Sequence, residues 1–146
     1  MTSAPATRID HLGYVVGDLE LAGRFFVDVL GATPNDARRG TLAFDEGDAM
    51  FRLFGNHPRA RANYAFYWLG DGQVELMQWA SPTRSEEIPT NQDAGGRHIA
   101  VATSDMDATL ERIRAFGGCE IREPNPVGFI YVNTPFGLEV QLVPAR

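Results

Sequence analysis

Two stretches of the chain show the same order of apolar and polar positions. The first covers residues 8–31 and the second residues 97–118. In each, a histidine opens a short apolar run, an aspartate follows seven residues later, and a glycine closes an amphipathic segment twenty residues after the histidine. Aspartate is a preferred helix N-cap and glycine a preferred helix end. Each stretch is therefore predicted to be one strand followed by one helix.

After the first helix, which is expected to end near Leu30, the pattern predicts antiparallel strands. Residues 41–44 and 49–54 are predicted as two strands around a turn, and residues 64–69 and 73–79 as a hairpin. Residues 1–7 are expected to be a loose tail.

The second half repeats this order. A strand is predicted at 97–103, a helix at 105–116, a short strand at 119–122, and a final hairpin from 128–133 and 138–143. Neither half is large enough to bury a core alone, so the halves are expected to pair. The prediction is one α+β domain, residues 1–146, with module 1 at about 8–80, a polar connection at 81–96 and module 2 at about 97–144.

Composition narrows the classes of function. The net charge of -6 and the pI of about 5.0 leave no basic stripe for nucleic acid. The single cysteine, Cys119, excludes an internal disulfide and a cysteine-based metal cluster. No apolar run approaches the length of a membrane span. Residues 1–7 have no charged or apolar region of an export signal, so a cytoplasmic location is expected.

Histidine and glutamate recur in similar places of the two halves. His11 and His98 open the first strand of each half, and Glu75 and Glu139 lie in the last hairpin strand of each. If the halves pair with pseudo-twofold symmetry, two imidazoles and two carboxylates converge in one cleft. That donor set suits one divalent ion such as Zn, Ni, Co, Mn or Fe.

Four segments also carry a resemblance to a known family. The chain resembles the vicinal oxygen chelate superfamily, which includes glyoxalases, bleomycin-resistance proteins and extradiol dioxygenases. The resemblance covers residues 8–143 and rests on four runs: Ile9-Asp-His-Leu-Gly-Tyr-Val-Val-Gly-Asp-Leu, Val74-Glu-Leu-Met, Gly95-Gly-Arg-His-Ile-Ala-Val and Thr134-Pro-Phe-Gly-Leu-Glu-Val-Gln-Leu-Val.

The resemblance implies two tandem βαβββ modules forming a curved mixed sheet around a metal cleft, in a homodimer. It places the metal ligands at His11, Glu75, His98 and Glu139, a set similar to that of glyoxalase I. The implied activity is a metal-dependent lyase or isomerase, glyoxalase- or epimerase-like, that removes a proton beside a carbonyl of a small oxygenated substrate. Glu139 is the first choice for the base and Glu75 the second.

Two departures from glyoxalase I bear on the substrate. Bacterial glyoxalase I tends to have an arginine and an asparagine where this chain has Val15 and Trp79, so glutathione would lack a partner for its carboxylate. An apolar or aromatic substrate is expected instead, in a pocket lined by aromatic residues: Phe44, Phe51, Phe54, Phe66, Trp68 and Trp79.

Two other activities stay open. An Fe(II)-dependent ring-cleavage dioxygenase needs two histidines and one glutamate, which His11, His98 and Glu139 supply. Those enzymes usually have a further histidine shortly before a Tyr-x-x-x-Pro segment, and no histidine follows His98. A non-catalytic aromatic-drug binding protein is the third possibility, and the full set of His/Glu pairs argues against it.

Overall fold

The chain folds as two repeats of one strand, one helix and three further strands. The structure, a computed structural model, describes Ala6 and residues 8–146, so the predicted tail at 1–7 otherwise lies outside the described residues. The first repeat contains β1 (Leu12–Val15), α1 (Leu19–Arg24), which continues as a π-helical segment (Phe25–Val29), β2 (Thr33–Leu42), α2 (Ala49–Phe54), β3 (Arg61–Leu69) and β4 (Gly72–Ala80). The second contains β5 (His98–Thr103), α3 (Met106–Phe116), β6 (Glu120–Ile121), β7 (Ile130–Asn133) and β8 (Glu139–Pro144).

Each repeat forms a four-stranded mixed sheet of the same topology. The strand orders are β1-β4-β3-β2 and β5-β8-β7-β6. In both sheets the first strand of the repeat pairs in parallel with the last, and the remaining pairs are antiparallel. The predicted α+β fold of two βαβββ modules is therefore confirmed, with α2 as an extra helix in the first module.

The aspartates predicted to begin the two long helices do so through the same hydrogen bond. Asp18 Oδ1 accepts from the Leu21 amide at 2.9 Å, and Asp105 Oδ1 accepts from the Ala108 amide at 2.9 Å. Each bond satisfies a backbone N–H that has no partner inside its helix. The start of the first helix of each module was thus readable from the sequence.

The strand predicted at residues 49–54 is wrong, because these residues form α2. Only Ala49 and Met50 are buried, so the apolar side chains of this segment do not alternate between a core face and a solvent face. Asp48 and Arg52 form an ion pair of 2.7 Å one helical turn apart. Gly55 then ends the helix with a φ of 71°, a conformation that costs a side chain steric strain.

The strand β2 begins earlier than the prediction of residues 41–44. Its first eight positions are mostly polar and exposed, with no alternation of apolar residues. A register shift between Asn35 and Arg39 marks a bulge in the pairing with β3. Backbone pairing rather than side-chain burial therefore forms this part of the strand, and the sequence pattern gives no signal of it.

The two modules share one hydrophobic core. The Phe25 ring is fully buried and lies 5.3 Å from the Phe116 ring and 5.5 Å from the Phe136 ring, both in the second module. The Gly17 amide donates to the Phe136 carbonyl at 2.9 Å, and Arg97 Nη2 donates to the Val15 carbonyl at 2.9 Å. The modules are thus packed against each other by both apolar and backbone contacts.

The polar connection at 81–96 contains no helix or strand. Its residues 81 and 83–89 line the larger cavity of the chain, and Ile88 lies over Gly137. None of the helices in the described part of the chain is long and apolar enough to cross a membrane. The connection therefore forms one wall of the cavity described next.

Candidate active site

A cavity of about 1120 Å³ opens beside the first sheet. Its walls combine side chains from β1, β3 and β4 with the connection at 81–96 and the turn before β8. Both His11 and Glu75 line it. His11 and Glu75 are two of the four predicted metal ligands, and the structure brings these two together in one cavity.

His11 and Glu75 face each other because of the register of two parallel strands. Gly13 of β1 lies opposite Glu75 of β4, and His11 precedes Gly13 by two residues on the same face. The His11 Nε2 atom lies 3.3 Å from Glu75 Oε2. The side chain of His11 is 33% exposed and that of Glu75 is 19% exposed, so both atoms are reachable from the cavity. We call this pair the first half-site.

Asp10 supports the imidazole from the opposite side. The His11 Nδ1 atom lies 2.8 Å from Asp10 Oδ2, and Arg38 and Arg8 also contact this carboxylate. The hydrogen bond with His11, aided by the positive charges of Arg38 and Arg8, holds the pKa of Asp10 below its usual value. Asp10 is therefore ionised at neutral pH and accepts from the histidine.

The second module carries His98 on β5 beside two polar residues of β8. His98 lies opposite Glu139, and Ala100 lies opposite Gln141. Glu139 and Gln141 are half-buried and alternate with the buried Val140, so both share the face of His98. We call His98, Glu139 and Gln141 the second half-site.

The register shows that Glu75 and Glu139 are not equivalent positions. Glu75 lies opposite the residue two places after His11, and the residue opposite the position two places after His98 is Gln141. Continuing the β1–β4 register places Gln73, not Glu75, at the position that matches Glu139. The predicted match between the two glutamates is thus wrong by two residues, because side chains two apart on a strand share one face.

Glu139 is already engaged by asparagines. Asn91, from the connection at 81–96, donates to Glu139 Oε1. With the side-chain amide of Asn133 turned so that its nitrogen faces Glu139, this nitrogen donates to Glu139 Oε2 at 2.8 Å. The amide oxygen then accepts from Arg122. Among the described residues, none hydrogen-bonds to the side chain of Gln141. Glu139 is thus tied into the protein, whereas Gln141 is free to bind a ligand.

The two half-sites do not meet within one chain. His11 and Glu75 line the first cavity, whereas Glu139 lines a separate cavity of about 620 Å³. The described residues contain no cluster of three or more His, Cys, Asp or Glu side chains able to hold a metal ion. The predicted set of His11, Glu75, His98 and Glu139 is therefore divided into two pairs.

Three of the six aromatic residues predicted to line a substrate pocket lie on the wall of this cavity. Phe54, Phe66 and Trp79 line the first cavity, as does Val15, whereas Phe44, Phe51 and Trp68 do not. The Phe51 side chain lies on α2 and is 58% exposed. The Trp68 side chain shares the face of Phe66 but lies near the far end of β3, where it is 41% exposed. Phe44 packs on Phe54 with ring centroids 5.6 Å apart.

Sequence reasoning missed several polar residues around this cavity. Arg38, Arg84 and Arg97 line it, so its wall is not purely apolar. Arg38 lies in a region for which the sequence pattern predicts no strand. His57, in the loop between α2 and β3, also lines the cavity, and its Nδ1 accepts a hydrogen bond from the Arg59 amide at 3.1 Å. These contacts depend on how distant segments fold together.

Comparison with known families agrees with this architecture. The family model described as the glyoxalase/bleomycin resistance protein/dioxygenase superfamily matches residues 10–131. The chain belongs to this superfamily. The match spans both half-site histidines, Glu75 and all of β1 to β4, so the resemblance to this superfamily is confirmed.

Two curated members of the superfamily are similar over nearly the whole chain. A 2-epi-5-epi-valiolone epimerase from Actinomyces sp. is 33% identical over 94% of this chain and 79% of its own length. A lactoylglutathione lyase from Arabidopsis thaliana is 28% identical over 93% of this chain, which spans 44% of that protein. Like these relatives, the chain is an enzyme of the glyoxalase superfamily.

A solved structure confirms the fold. A variant of the fosfomycin resistance protein FosX from Listeria monocytogenes, complexed with Mn(II) and 1S,2S-dihydroxypropylphosphonic acid, superposes with a TM-score of 0.61. It is 16% identical, over 94% of this chain and 89% of that chain. At this identity the similarity establishes the shared architecture of the superfamily.

Proposed function

We propose that this enzyme is a metal-dependent isomerase or epimerase that moves a proton beside a carbonyl group of a small oxygenated substrate. The observation that carries the proposal is the pair formed by His11 and Glu75 at 3.3 Å on the wall of the cavity. The similarity to an epimerase supports the reaction class.

The donor atoms of the half-sites fit a divalent ion. Imidazole nitrogens together with carboxylate or amide oxygens suit ions such as Zn, Ni, Co, Mn or Fe. The residues that would hold the ion are His11, Glu75 and His98, with a fourth side chain from β8. Gln141 is our choice for the fourth because it occupies the place equivalent to Glu75, and Glu139 is the alternative. When bound, the ion acts as a Lewis acid toward a substrate carbonyl.

A complete site of four residues requires a second copy of the chain. Each half-site alone has fewer than three histidine and carboxylate side chains, and the described part of one chain does not bring the half-sites together. We therefore propose a homodimer in which the first half-site of one copy faces the second half-site of the other. Twofold symmetry then generates two identical sites.

Glu75 is the proposed base. Its side chain lines the cavity and is only 19% exposed, whereas both oxygens of Glu139 are held by asparagines. Glu75 would remove the proton from the carbon beside the carbonyl, breaking a C–H bond, and return of a proton to the opposite face would give the epimer. An amide such as Gln141 does not take up a proton at neutral pH, so Glu75 has no competitor at the equivalent place.

The cavity determines which substrates to test. Phe66, Trp79 and Met77 form apolar surface, and Arg38 and Arg97 contribute donors for hydrogen bonds. This mixture suits a compact molecule that carries several oxygen atoms on a carbon frame. Cyclic and open-chain hydroxyketones, beginning with 2-epi-5-epi-valiolone, are the first compounds to test.

Deuterium exchange tests the reaction directly. The Mn²⁺-loaded protein is incubated with each hydroxyketone in D₂O, and incorporation of deuterium beside the carbonyl is followed by NMR. We expect incorporation with the wild type and a loss of roughly 100-fold or more for Glu75→Gln, as for removal of a general base. Glu111→Gln, an exposed carboxylate on α3 that does not line the cavity, is the matched control. Equal exchange by Glu75→Gln and the wild type would refute the role of Glu75.

A further inference from the structure

Asp10 contacts His11, Arg38 and Arg8, and the proposed reaction assigns no role to these contacts. Its Oδ2 lies 2.8 Å from His11 Nδ1 and 3.5 Å from Arg38 Nη1, and its Oδ1 accepts from Arg8 at 3.2 Å. Asp10 does not line the cavity, so it does not contact a substrate there. Asp10 nevertheless contacts His11, which does line the cavity.

The guanidinium of Arg38 is itself held in place by neighbouring side chains. Its Nη1 donates to Gln73 Oε1 at 3.3 Å, and its guanidinium carbon lies 3.8 Å from the centre of the Phe66 ring. The Phe66 ring also packs edge-on against His11, with centroids 4.9 Å apart. Stacking and hydrogen bonding thus fix the guanidinium, and the guanidinium in turn favours one position of the Asp10 carboxylate.

The hydrogen bond to Asp10 determines which nitrogen of His11 is available. The Asp10 carboxylate lies 2.8 Å from His11 Nδ1, at the distance of a hydrogen bond in which Nδ1 carries the proton and donates. The Nε2 atom is then left with its lone pair on the side of Glu75, at 3.3 Å from Oε2. A carboxylate behind a metal-binding histidine orients the ring and strengthens it as a ligand.

We propose that Asp10, held by Arg38, is a positioning residue that fixes the ring and the tautomer of His11 so that Nε2 faces the metal site. The proposal rests on the proposed function, since it assumes that His11 is a ligand. It assigns a role to Asp10, which does not line the cavity, and gives the cavity residue Arg38 the further role of holding Asp10.

The second module lacks this support, although it repeats the histidine. The residue before His98 is Arg97, whose Nη2 donates to the Val15 carbonyl at 2.9 Å. The ring beside His98 is that of Tyr131, edge-on with centroids 5.4 Å apart. Among the described residues no carboxylate hydrogen-bonds to the His98 ring. The first half-site is therefore the better organised of the two before an ion binds.

Metal affinity provides the first test. The affinity of the protein for Mn²⁺ is measured by competition with a chromophoric chelator. Loss of a residue that orients a histidine ligand typically lowers affinity by roughly 10- to 100-fold, so Asp10→Ala is expected to show a loss in that range. Asp10→Asn keeps an acceptor oxygen and should lose less. Asp36→Asn, an exposed carboxylate paired with Arg39 at 3.5 Å, is the matched control and should bind as the wild type does.

The tautomer of His11 gives a second readout that needs no metal. Nitrogen-15 NMR of the metal-free protein, at a pH where the ring is neutral, distinguishes a protonated Nδ1 from a protonated Nε2. We expect Nδ1–H for His11 in the wild type and in Asp36→Asn, and a shift toward Nε2–H in Asp10→Ala. A merely structural role for Asp10 would leave this signature unchanged.

The outcomes separate the two proposals. A wild-type protein that fails to bind Mn²⁺ or the other candidate ions overturns the proposed function, and with it a metal role for Asp10. A wild type that binds, together with Asp10→Ala that binds equally well and keeps Nδ1–H, overturns the role of Asp10 alone. Weaker binding combined with the tautomer shift supports it.

Discussion

The side chains that matter most for the proposed chemistry are distinguished by what already contacts them. The carboxylate of Glu75 faces His11 across the cavity wall, whereas that of Glu139 is held by Asn91 and Asn133. A carboxylate with two amide donors is already stabilised where it is, and drawing it to an ion would break those bonds. Gln141, on the same face, has no such restraint among the described residues.

At the scale of single residues, we expect β8 to contribute Gln141 rather than Glu139 to the metal. Gln141→Ala should lower Mn²⁺ affinity by about tenfold or more, because it removes a ligand, whereas Glu139→Gln should lower it less. The measurement is competition with a chelator, with thermal unfolding as the check on the fold. A larger loss for Glu139→Gln would restore Glu139, the first choice from the sequence, as the ligand.

The sequence predicts some of the helices and strands that position these residues better than it predicts others. Both N-caps, the two hairpins at β3–β4 and β7–β8, and the first strand of each module follow from short-range pattern. The helix α2 and the first part of β2 do not. In α2 a six-residue segment with five apolar side chains suits a strand or a helix, and the Gly55 turn and the Asp48–Arg52 ion pair favour the helix.

At the scale of elements, the duplicated caps give a prediction for stability. Asp18→Ala and Asp105→Ala should each reduce the free energy of unfolding by about 0.5–2 kcal/mol, because each leaves a helix N–H without its partner. The double variant should lose about the sum, since the caps begin different helices. Urea unfolding measures the change, and Asp18→Ser, which keeps an acceptor, is the control. A loss below ~0.3 kcal/mol for both alanine variants would argue against the caps.

The whole molecule joins two similar modules so that their helices share one core while their half-sites stay apart. The Phe25 ring contacts two rings of the second module, which ties the modules together on the buried side. The first half-site lines one cavity and Glu139 another. A chain built in this way completes its site only by meeting a second copy, as proposed above.

At the scale of the whole molecule, mixed dimers test whether the site is shared. His11→Ala and His98→Ala should each lose tight Mn²⁺ binding. A dimer with one chain of each kind has both changes in one site and none in the other, so it should regain one tightly bound ion per dimer. His57→Ala, the third histidine, is the matched control and should bind normally. If each chain held its own site, the mixed dimer would recover nothing, and the shared site would be excluded.

By itself the sequence determined the repeated strand and helix, their caps, the two modules and the superfamily, because each of these depends on residues close together in the chain. It also identified His11 and His98 as candidates through the recurring His–Asp–Gly spacing, and Glu75 through its place in a hairpin strand. Only the tertiary structure showed that Gln141, and not Glu139, occupies the register position equivalent to Glu75. Residues 139 and 141 lie on the same face of a strand with a period of two, so no pattern within the strand separates them. The register between β5 and β8 distinguishes these two residues. Register, together with the packing that keeps the half-sites apart, therefore defines the candidate site.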